Sequence, residues 1–330
     1  MLCAVVALLP WWVTGARLPL QNLWAVDALP DEMPIALLPF SQYALPALVG
    51  LPVMGAALGG LIIRVSHRGP DRRAAVWAAL GSVAVQLAAV VQTLIVVNRG
   101  LVNDGRASLY VMAVTVVIVI GVVVGVLTLW WLGASRRPLA TVALTLGALA
   151  LPTWLEVLLA PLGSVPTDAT WSFLSALRWV VPVLVGLALA WCGITRKACV
   201  VAWFGSLVLI WIVPAALTGL SYAAGSRVLL ASDPMEAVTA GVEVFGQALG
   251  PAGGSLVTVP VALAIGLLGV LVRRVMAART PYRLEQAAHQ QDDRRESGDA
   301  EYQGAGVLGV DAGPHPDRER ESGGDEWRQP

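Results

Sequence analysis

Eight apolar runs separated by short polar connectors constrain this chain more than any other feature of its sequence. Seven runs are about 18 to 25 residues long, the length that a helix needs to cross the roughly 30 Å hydrocarbon core of a bilayer. These seven runs are 41–63, 74–98, 109–132, 139–160, 172–194, 198–219 and 255–272. The sequence therefore predicts an all-α fold, a polytopic transmembrane helical bundle of about eight spans.

The first run, residues 1–14, is shorter than the others. At 1.5 Å per residue it would extend roughly 21 Å, less than the thickness of the hydrocarbon core. No basic residue precedes it and no convincing cleavage site follows it, so a signal peptide is the weaker interpretation. We expect either that this helix inserts only partly or that the native start lies further upstream.

Composition separates the chain into two regions. Hydrophobic residues make up 57% of the chain and charged residues 13%, whereas soluble domains carry roughly 25% charged residues. Residues 284–330 depart from this pattern, because they hold twelve acidic and five basic residues and few apolar ones. We therefore expect residues 1–283 to form the bundle and 284–330 to form a disordered acidic tail.

The basic residues predict an orientation. Alternate connectors and residues 273–283 after the last run hold twelve Arg and Lys residues, against four in the other connectors. Since an excess of these residues marks the cytoplasmic face, both termini and the acidic tail should be cytoplasmic. Arginine greatly outnumbers lysine, with Lys197 the single lysine of the chain. This bias is typical of GC-rich bacterial genomes, so we expect a multi-pass protein of a bacterial plasma membrane.

Short connectors exclude several classes of function. The cytoplasmic connectors between runs have at most about ten residues and contain no glycine-rich phosphate loop, so they cannot form a nucleotide-binding or kinase site. None of the three histidines lies in an apolar run, which excludes histidine catalysis within the membrane. We expect no cofactor, no metal ion and no nucleic acid partner. The expected partners are the lipid bilayer and other membrane proteins.

The first outer connector carries an acidic pair, Asp31 and Glu32. An acidic pair just after a first span resembles the catalytic arrangement of membrane glycosyltransferases that use polyprenyl-linked sugars. The resemblance implies that Asp31 and Glu32 could hold a divalent cation or act as a base. The alternative is a solvated loop with turns at its prolines, because adjacent acids are common in loops.

The last outer connector predicts an amphipathic helix. Asp233 is suited to cap its start, Pro234 to occupy its first position, and Gly250 to end it. Apolar residues recur between them at spacings of three and four, so we expect a helix of about 16 residues. It could lie on the outer membrane surface and cap the bundle, or it could act as a mobile lid.

Three polar residues inside the runs are the candidate site residues. Glu156 is the only carboxylate within an apolar run, and Arg178 lies at a similar depth on the next run. The pattern predicts either a buried ion pair between them or a path for a substrate or proton, with their charged atoms within about 4 Å or bridged by one water. Gln86 lies near mid-membrane on the third run, where it could form an interhelical hydrogen bond or line the path.

These observations leave three classes of function open. The favoured hypothesis is a non-enzymatic membrane protein that assembles with other components of the cell envelope. The second is a transporter or permease for a small solute, which would have an outward-facing polar cavity lined by Glu156 and Arg178. The third is a transferase at the outer face, which would have a cavity reaching Asp31 and Glu32. An enzymatic function is the less favoured of these interpretations.

Overall fold

Helices form nearly all of the regular structure. The computed structural model describes residues 1–21, 23–67, 69–161, 167–226, 234–250, 253–254 and 256–277. Its helices are α1 (Leu2–Val13), α2 (Leu45–Ser66), α3 (Arg72–Gly100), α4 (Gly105–Ala134), α5 (Arg137–Leu159), α6 (Asp168–Leu177), α7 (Val180–Cys192), α8 (Lys197–Gly225), α9 (Pro234–Leu249) and α10 (Leu256–Ala277). Two short 3₁₀ turns, Pro30–Glu32 and Gln42–Ala44, precede α2. No β-strand occurs in these ranges, which confirms the predicted all-α class.

Seven helical segments are long and apolar enough to cross a membrane, with α6 and α7 together forming one of them. They correspond to the seven long apolar runs of the sequence. The first run forms only the 12-residue helix α1, which is shorter than a bilayer crossing requires. The residues to Arg273 form one compact unit. The predicted tail, 284–330, lies outside the described residues.

Helix α2 is the centre of the bundle. Of its most apolar window, 61% is buried against other parts of the protein, compared with 11% for α10 and 22% for α3. It packs on α1, α3, α4 and α5, and more lightly on α8. A helix that is apolar on all sides is stable in this position, because neighbouring helices cover most of its surface.

Small residues bring α4 and α5 close to α2. A Cβ atom added to Gly121 of α4 would lie 2.7 Å from the carbonyl oxygen of Leu48, and one on Gly125 would lie 3.1 Å from that of Pro52. On α5, a Cβ on Gly147 would lie 2.7 Å from the Cβ of Ala57. Contacts this close require glycine, so these three positions let α4 and α5 approach α2.

One end of the bundle, which we call the basic end, is where α2, α4 and α7 finish and α3, α5 and α8 begin. Its basic residues on described positions are Arg64, Arg72, Arg73, Arg136, Arg137, Arg196, Lys197 and Arg273. Asp71 caps α3 here by accepting a hydrogen bond from the backbone N–H of Ala74 at 3.0 Å. This hydrogen bond is the main reason why the pKa of the Asp71 carboxyl is lowered.

At the opposite end, the connector between α1 and α2 packs against the helices. Its apolar side chains Leu18, Met33, Leu38 and Phe40 are all at most 2% exposed. Gln92 of α3 accepts a hydrogen bond from the N–H of Leu37 at 2.9 Å and donates one to the carbonyl of Ile35 at 3.0 Å. The connector is therefore folded onto α1 and α3 over much of its length, and only part of it is a solvated loop.

Helix α9 has the 16 residues that the sequence predicted. It packs on α8 through small residues, because a Cβ on Gly219 would lie 2.7 Å from the carbonyl oxygen of Gly241. The apolar stripe of Met235, Val238 and Val242 is exposed on another face of the helix. The face against α8 thus carries small residues together with Phe245, whereas Met235, Val238 and Val242 are on the exposed side.

The substitution Gly121→Ala tests the close packing of α4 on α2. The added methyl group would meet the carbonyl of Leu48, and moving a backbone costs about 1 to 3 kcal/mol. We expect Gly121→Ala to lower the thermal midpoint of unfolding in detergent. Gly205→Ala on α8 is the matched control, because its Cβ would meet nothing within 4 Å. An equal loss of stability in both variants would contradict the close α2–α4 packing.

Candidate functional site

A cavity of about 810 Å³ opens in the half of the bundle away from the basic end. Helices α2, α5 and α8 supply most of its wall, and the α6–α7 junction, α9 and the start of α10 complete it. On α8 the lining extends from Leu209 to Ser221, a rise of about 18 Å along the helix axis. A volume of this size is typical of sites for small ligands.

The sixth predicted span is broken where it borders this cavity. Helix α6 ends at Leu177 and α7 begins at Val180, with Arg178 and Trp179 between them. Pro182 explains the break, because it has no N–H to donate to the carbonyl of Arg178 four residues earlier. Arg178 and Trp179 both keep right-handed helical dihedral angles, so the interruption is local, and Arg178 lines the cavity.

The lining is apolar except for one cation and a few hydroxyl groups. Among the described residues, the polar side chains that line the cavity are Thr153, Arg178, Thr218, Ser221 and Thr258. The hydroxyl of Thr218 donates to the carbonyl of Pro214 at 2.9 Å, whereas the buried Ser221 Oγ has no partner within the described chain. No carboxylate is among the described lining residues, so the wall carries a net positive charge.

Arg178 is exposed, and its guanidinium lies 5.3 Å from the centroid of the Trp179 ring. Stacking on an aromatic face leaves the N–H groups of a guanidinium free to point elsewhere. Within the described part of the chain, no carboxylate lies within 4.0 Å of this guanidinium. The close contact between a basic and an acidic side chain that the described residues do form joins His67 and Asp71, at the basic end. Arg178 is therefore a cation at the cavity wall without an anionic partner.

The structure shows no direct ion pair between Glu156 and Arg178 within 4.0 Å, although both side chains are described. A pair bridged by one water stays a prediction. Glu156 is exposed and is not among the residues that line the cavity. The direct pair was expected from depth along the two helices, which does not fix how one helix is rotated against the other. A role for Glu156 in a substrate path stays a prediction.

Gln86 is only 3% exposed, and neither polar atom of its amide has a hydrogen-bond partner among the described residues. It does not line the cavity. The interhelical hydrogen bond expected for it is therefore not formed within the described chain. A buried amide without partners is destabilising by about 1 to 3 kcal/mol.

Asp31 and Glu32 lie in the exposed 3₁₀ turn before α2 and do not line the cavity. The Glu32 carboxylate accepts a hydrogen bond from the backbone N–H of Leu29 at 3.0 Å, which caps the turn. Arg17 donates to the carbonyls of Asp31 and Met33, and so ties the turn to the end of α1. No group of three potential metal ligands occurs among the described residues.

Sequence reasoning missed most of the residues that form the cavity. Thr218 and Ser221 are ordinary small polar residues in an apolar run, and only their common helix face with Pro214 distinguishes them. Two prolines in the wall, Pro152 and Pro214, were the available signal, since proline within a span removes a backbone hydrogen bond and bends the helix.

The fold and the cavity define a polytopic α-helical membrane protein with a solute-sized site in one half of its bundle. The sequence matches no family model, and comparisons with curated proteins and with solved structures find no significant match. The function is therefore inferred from the geometry of the site.

A double-mutant cycle tests the separation of Glu156 and Arg178. Residues without contact contribute independently, so we expect the stability changes of Glu156→Gln and Arg178→Gln to add within about 0.5 kcal/mol. Thermal or denaturant unfolding of the single and double variants in one detergent measures this. A larger coupling energy would show that the two side chains interact in solution.

Proposed function

We propose that the protein binds an anionic amphiphile within the bilayer and acts as a carrier of such small solutes rather than as an enzyme. The observation that supports this proposal is the cavity beside the break at Arg178, where an apolar wall holds a cation without an anionic partner. It departs from the transport hypothesis stated above, because the cavity is mostly apolar and is lined by Arg178 but not by Glu156.

The size and polarity of the cavity indicate the kind of ligand. A volume of about 810 Å³ lies within the range of sites for drug-sized molecules, which are mostly apolar with a few polar groups. Leu146, Leu149 and Val213 offer a surface for hydrocarbon, while Thr218 and Ser221 offer hydrogen bonds. A purely polar solute would leave the apolar wall unused, so an amphiphile fits better.

The charge of the wall indicates the head group. A guanidinium presents several N–H donors in a plane that matches a carboxylate or a phosphate. Arg178 already rests on the Trp179 ring, which holds the side chain without using those donors. A ligand with its anionic head at Arg178 and its hydrocarbon part toward α5 and α8 would contact both the cation and the apolar part of the wall.

The position of the cavity suggests the side of entry. It lies in the half of the bundle away from the basic end, and the excess of basic residues favours a cytoplasmic location for that end. The ligand would then enter from the outer half of a bacterial plasma membrane. Ala248 of α9 is among the lining residues, so α9 is placed to cover the entrance.

The other two hypotheses have less support from the site. Asp31 and Glu32 are not among the lining residues, although the transferase hypothesis requires a cavity that reaches them. The assembly hypothesis requires a closed, well-packed bundle, whereas this bundle contains a cavity that is open on one side. The exposed apolar faces of α3 and α4 need no protein partner, since lipid can cover them.

Arg178→Gln tests the proposal directly. The probe is decyl phosphate, titrated into the full-length protein in nanodiscs of neutral lipid, with decanol as the uncharged comparison. Losing charge-assisted hydrogen bonds should weaken decyl phosphate binding by about 10- to 100-fold while decanol binding stays unchanged.

Arg99→Gln is the matched control for that titration, because Arg99 is exposed at the same end of the bundle and does not line the cavity. It should bind decyl phosphate as the unmodified protein does. Equal weakening in both variants, or none in Arg178→Gln, would contradict an anion site at Arg178.

A further inference from the structure

Two guanidinium groups flank one indole ring at the basic end. The guanidinium carbons of Arg64 and Arg137 lie 5.4 and 5.6 Å from the centroid of the Trp191 ring. Arg64 is at the end of α2, Arg137 begins α5, and Trp191 is in the last turn of α7. Three helices that are separate in sequence therefore bring two positive charges to the same aromatic side chain.

Hydrogen bonds fix this cluster in place. Arg64 donates to the carbonyls of Leu132 and Ser135 at the end of α4. Arg273 of α10 donates to the carbonyls of Ala190 and Trp191, at 2.7 and 3.0 Å. Cations are favourable at helix C-termini, where carbonyl groups lack partners within the helix. These neutral carbonyls orient Arg64 and Arg273 but leave their charge uncompensated.

Acidic residues are nearly absent from this end. Among the described residues, Asp71 is the only carboxylate there, and it pairs with His67 at 3.1 Å and caps α3. Arg64, Arg137 and Arg273 thus form a cluster of like charge without an acidic partner in the described chain. Such an arrangement is stabilised by an anion, and none of the described residues supplies one at this cluster.

We propose that Arg64, Arg137 and Trp191 bind the phosphate head group of an anionic phospholipid. Basic sites between the ends of transmembrane helices suit such head groups, and guanidinium groups suit phosphate. Trp131 and Leu144 pack against the same small buried cluster as Trp191, are partly exposed, and offer an apolar surface for acyl chains. A free phosphate ion would use the cations but gain nothing from this surface.

The site is independent of the cavity proposed above. It lies at the basic end of the bundle, and none of its residues lines the cavity. Its role would be to hold α2, α5 and α7 together through a lipid that the three helices share. Loss of lipid binding here therefore leaves the binding of decyl phosphate beside Arg178 unchanged, which separates the two proposals.

Native mass spectrometry of the full-length protein tests the site, with phosphatidylglycerol and phosphatidylcholine as probes. We expect phosphatidylglycerol to remain bound at lower lipid concentrations than phosphatidylcholine. Arg137→Gln should reduce the retained phosphatidylglycerol about tenfold, and Arg137→Glu should abolish the preference. Arg137 is exposed, so both variants should keep the unmodified thermal midpoint in neutral detergent, whereas Arg64 variants would also lose the hydrogen bonds to α4.

Arg99→Gln serves as the control, because this exposed arginine lies at the end of α3, away from the basic end. It should retain phosphatidylglycerol as the unmodified protein does. Inorganic phosphate at millimolar concentration distinguishes the two sources of phosphate and should not displace the lipid. Equal binding of the two lipids, no effect of Arg137→Gln, or displacement by inorganic phosphate would each overturn the proposal.

Discussion

The close packing of α4 and α5 on α2 is the interaction on which the rest of the structure depends. Lipid tails are as apolar as the side chains, so helices in a bilayer associate through tight van der Waals contact rather than through the hydrophobic effect. Gly121, Gly125 and Gly147 allow that contact, because a larger residue would meet the backbone or a Cβ atom of α2. Once α2 is enclosed by these helices, α1 and α8 can pack around its remaining surface.

Arginine and proline act in different halves of this bundle. Arg64 joins α2 to the end of α4 at the basic end, and Arg273 joins α10 to the end of α7. In the other half, Pro152 and Pro214 lie within helices that border the cavity, and Pro182 follows the break between α6 and α7. Proline prevents a regular hydrogen bond and keeps neighbouring helices from parallel contact. The bundle is therefore joined at the basic end and open in the other half.

Hydropathy predicted most of the fold, because each span has to satisfy its backbone hydrogen bonds internally and so has to be a long apolar helix. The seven long runs and the outer helix α9 follow from this constraint and from capping residues. The burial of the connector before α2 was not predictable in the same way. It depends on Gln92 and Thr93 of α3, which contact Leu37 and Leu38 more than fifty residues away in sequence.

The candidate site was predictable only in part. Arg178 was singled out as a charge within an apolar run, and it does line the cavity. Its direct ion pair with Glu156 is not formed, because depth along a helix is readable from sequence, whereas the rotation of one helix against another is not. Ser221 and Thr218 line the cavity without any local signal, because their position depends on how α8 packs against α2 and α5.

Cysteine accessibility tests most directly whether the bundle opens on the side away from its basic end. Thr218 lies in the cavity wall and Arg136 at the basic end, and both residues are exposed. The two variants for labelling are Thr218→Cys and Arg136→Cys. The natural cysteines Cys3, Cys192 and Cys199 would be replaced by serine first. In intact cells, a membrane-impermeant maleimide should label Thr218→Cys, with protection by decyl phosphate, and should label Arg136→Cys only after permeabilisation. Labelling of Arg136→Cys alone would contradict the account.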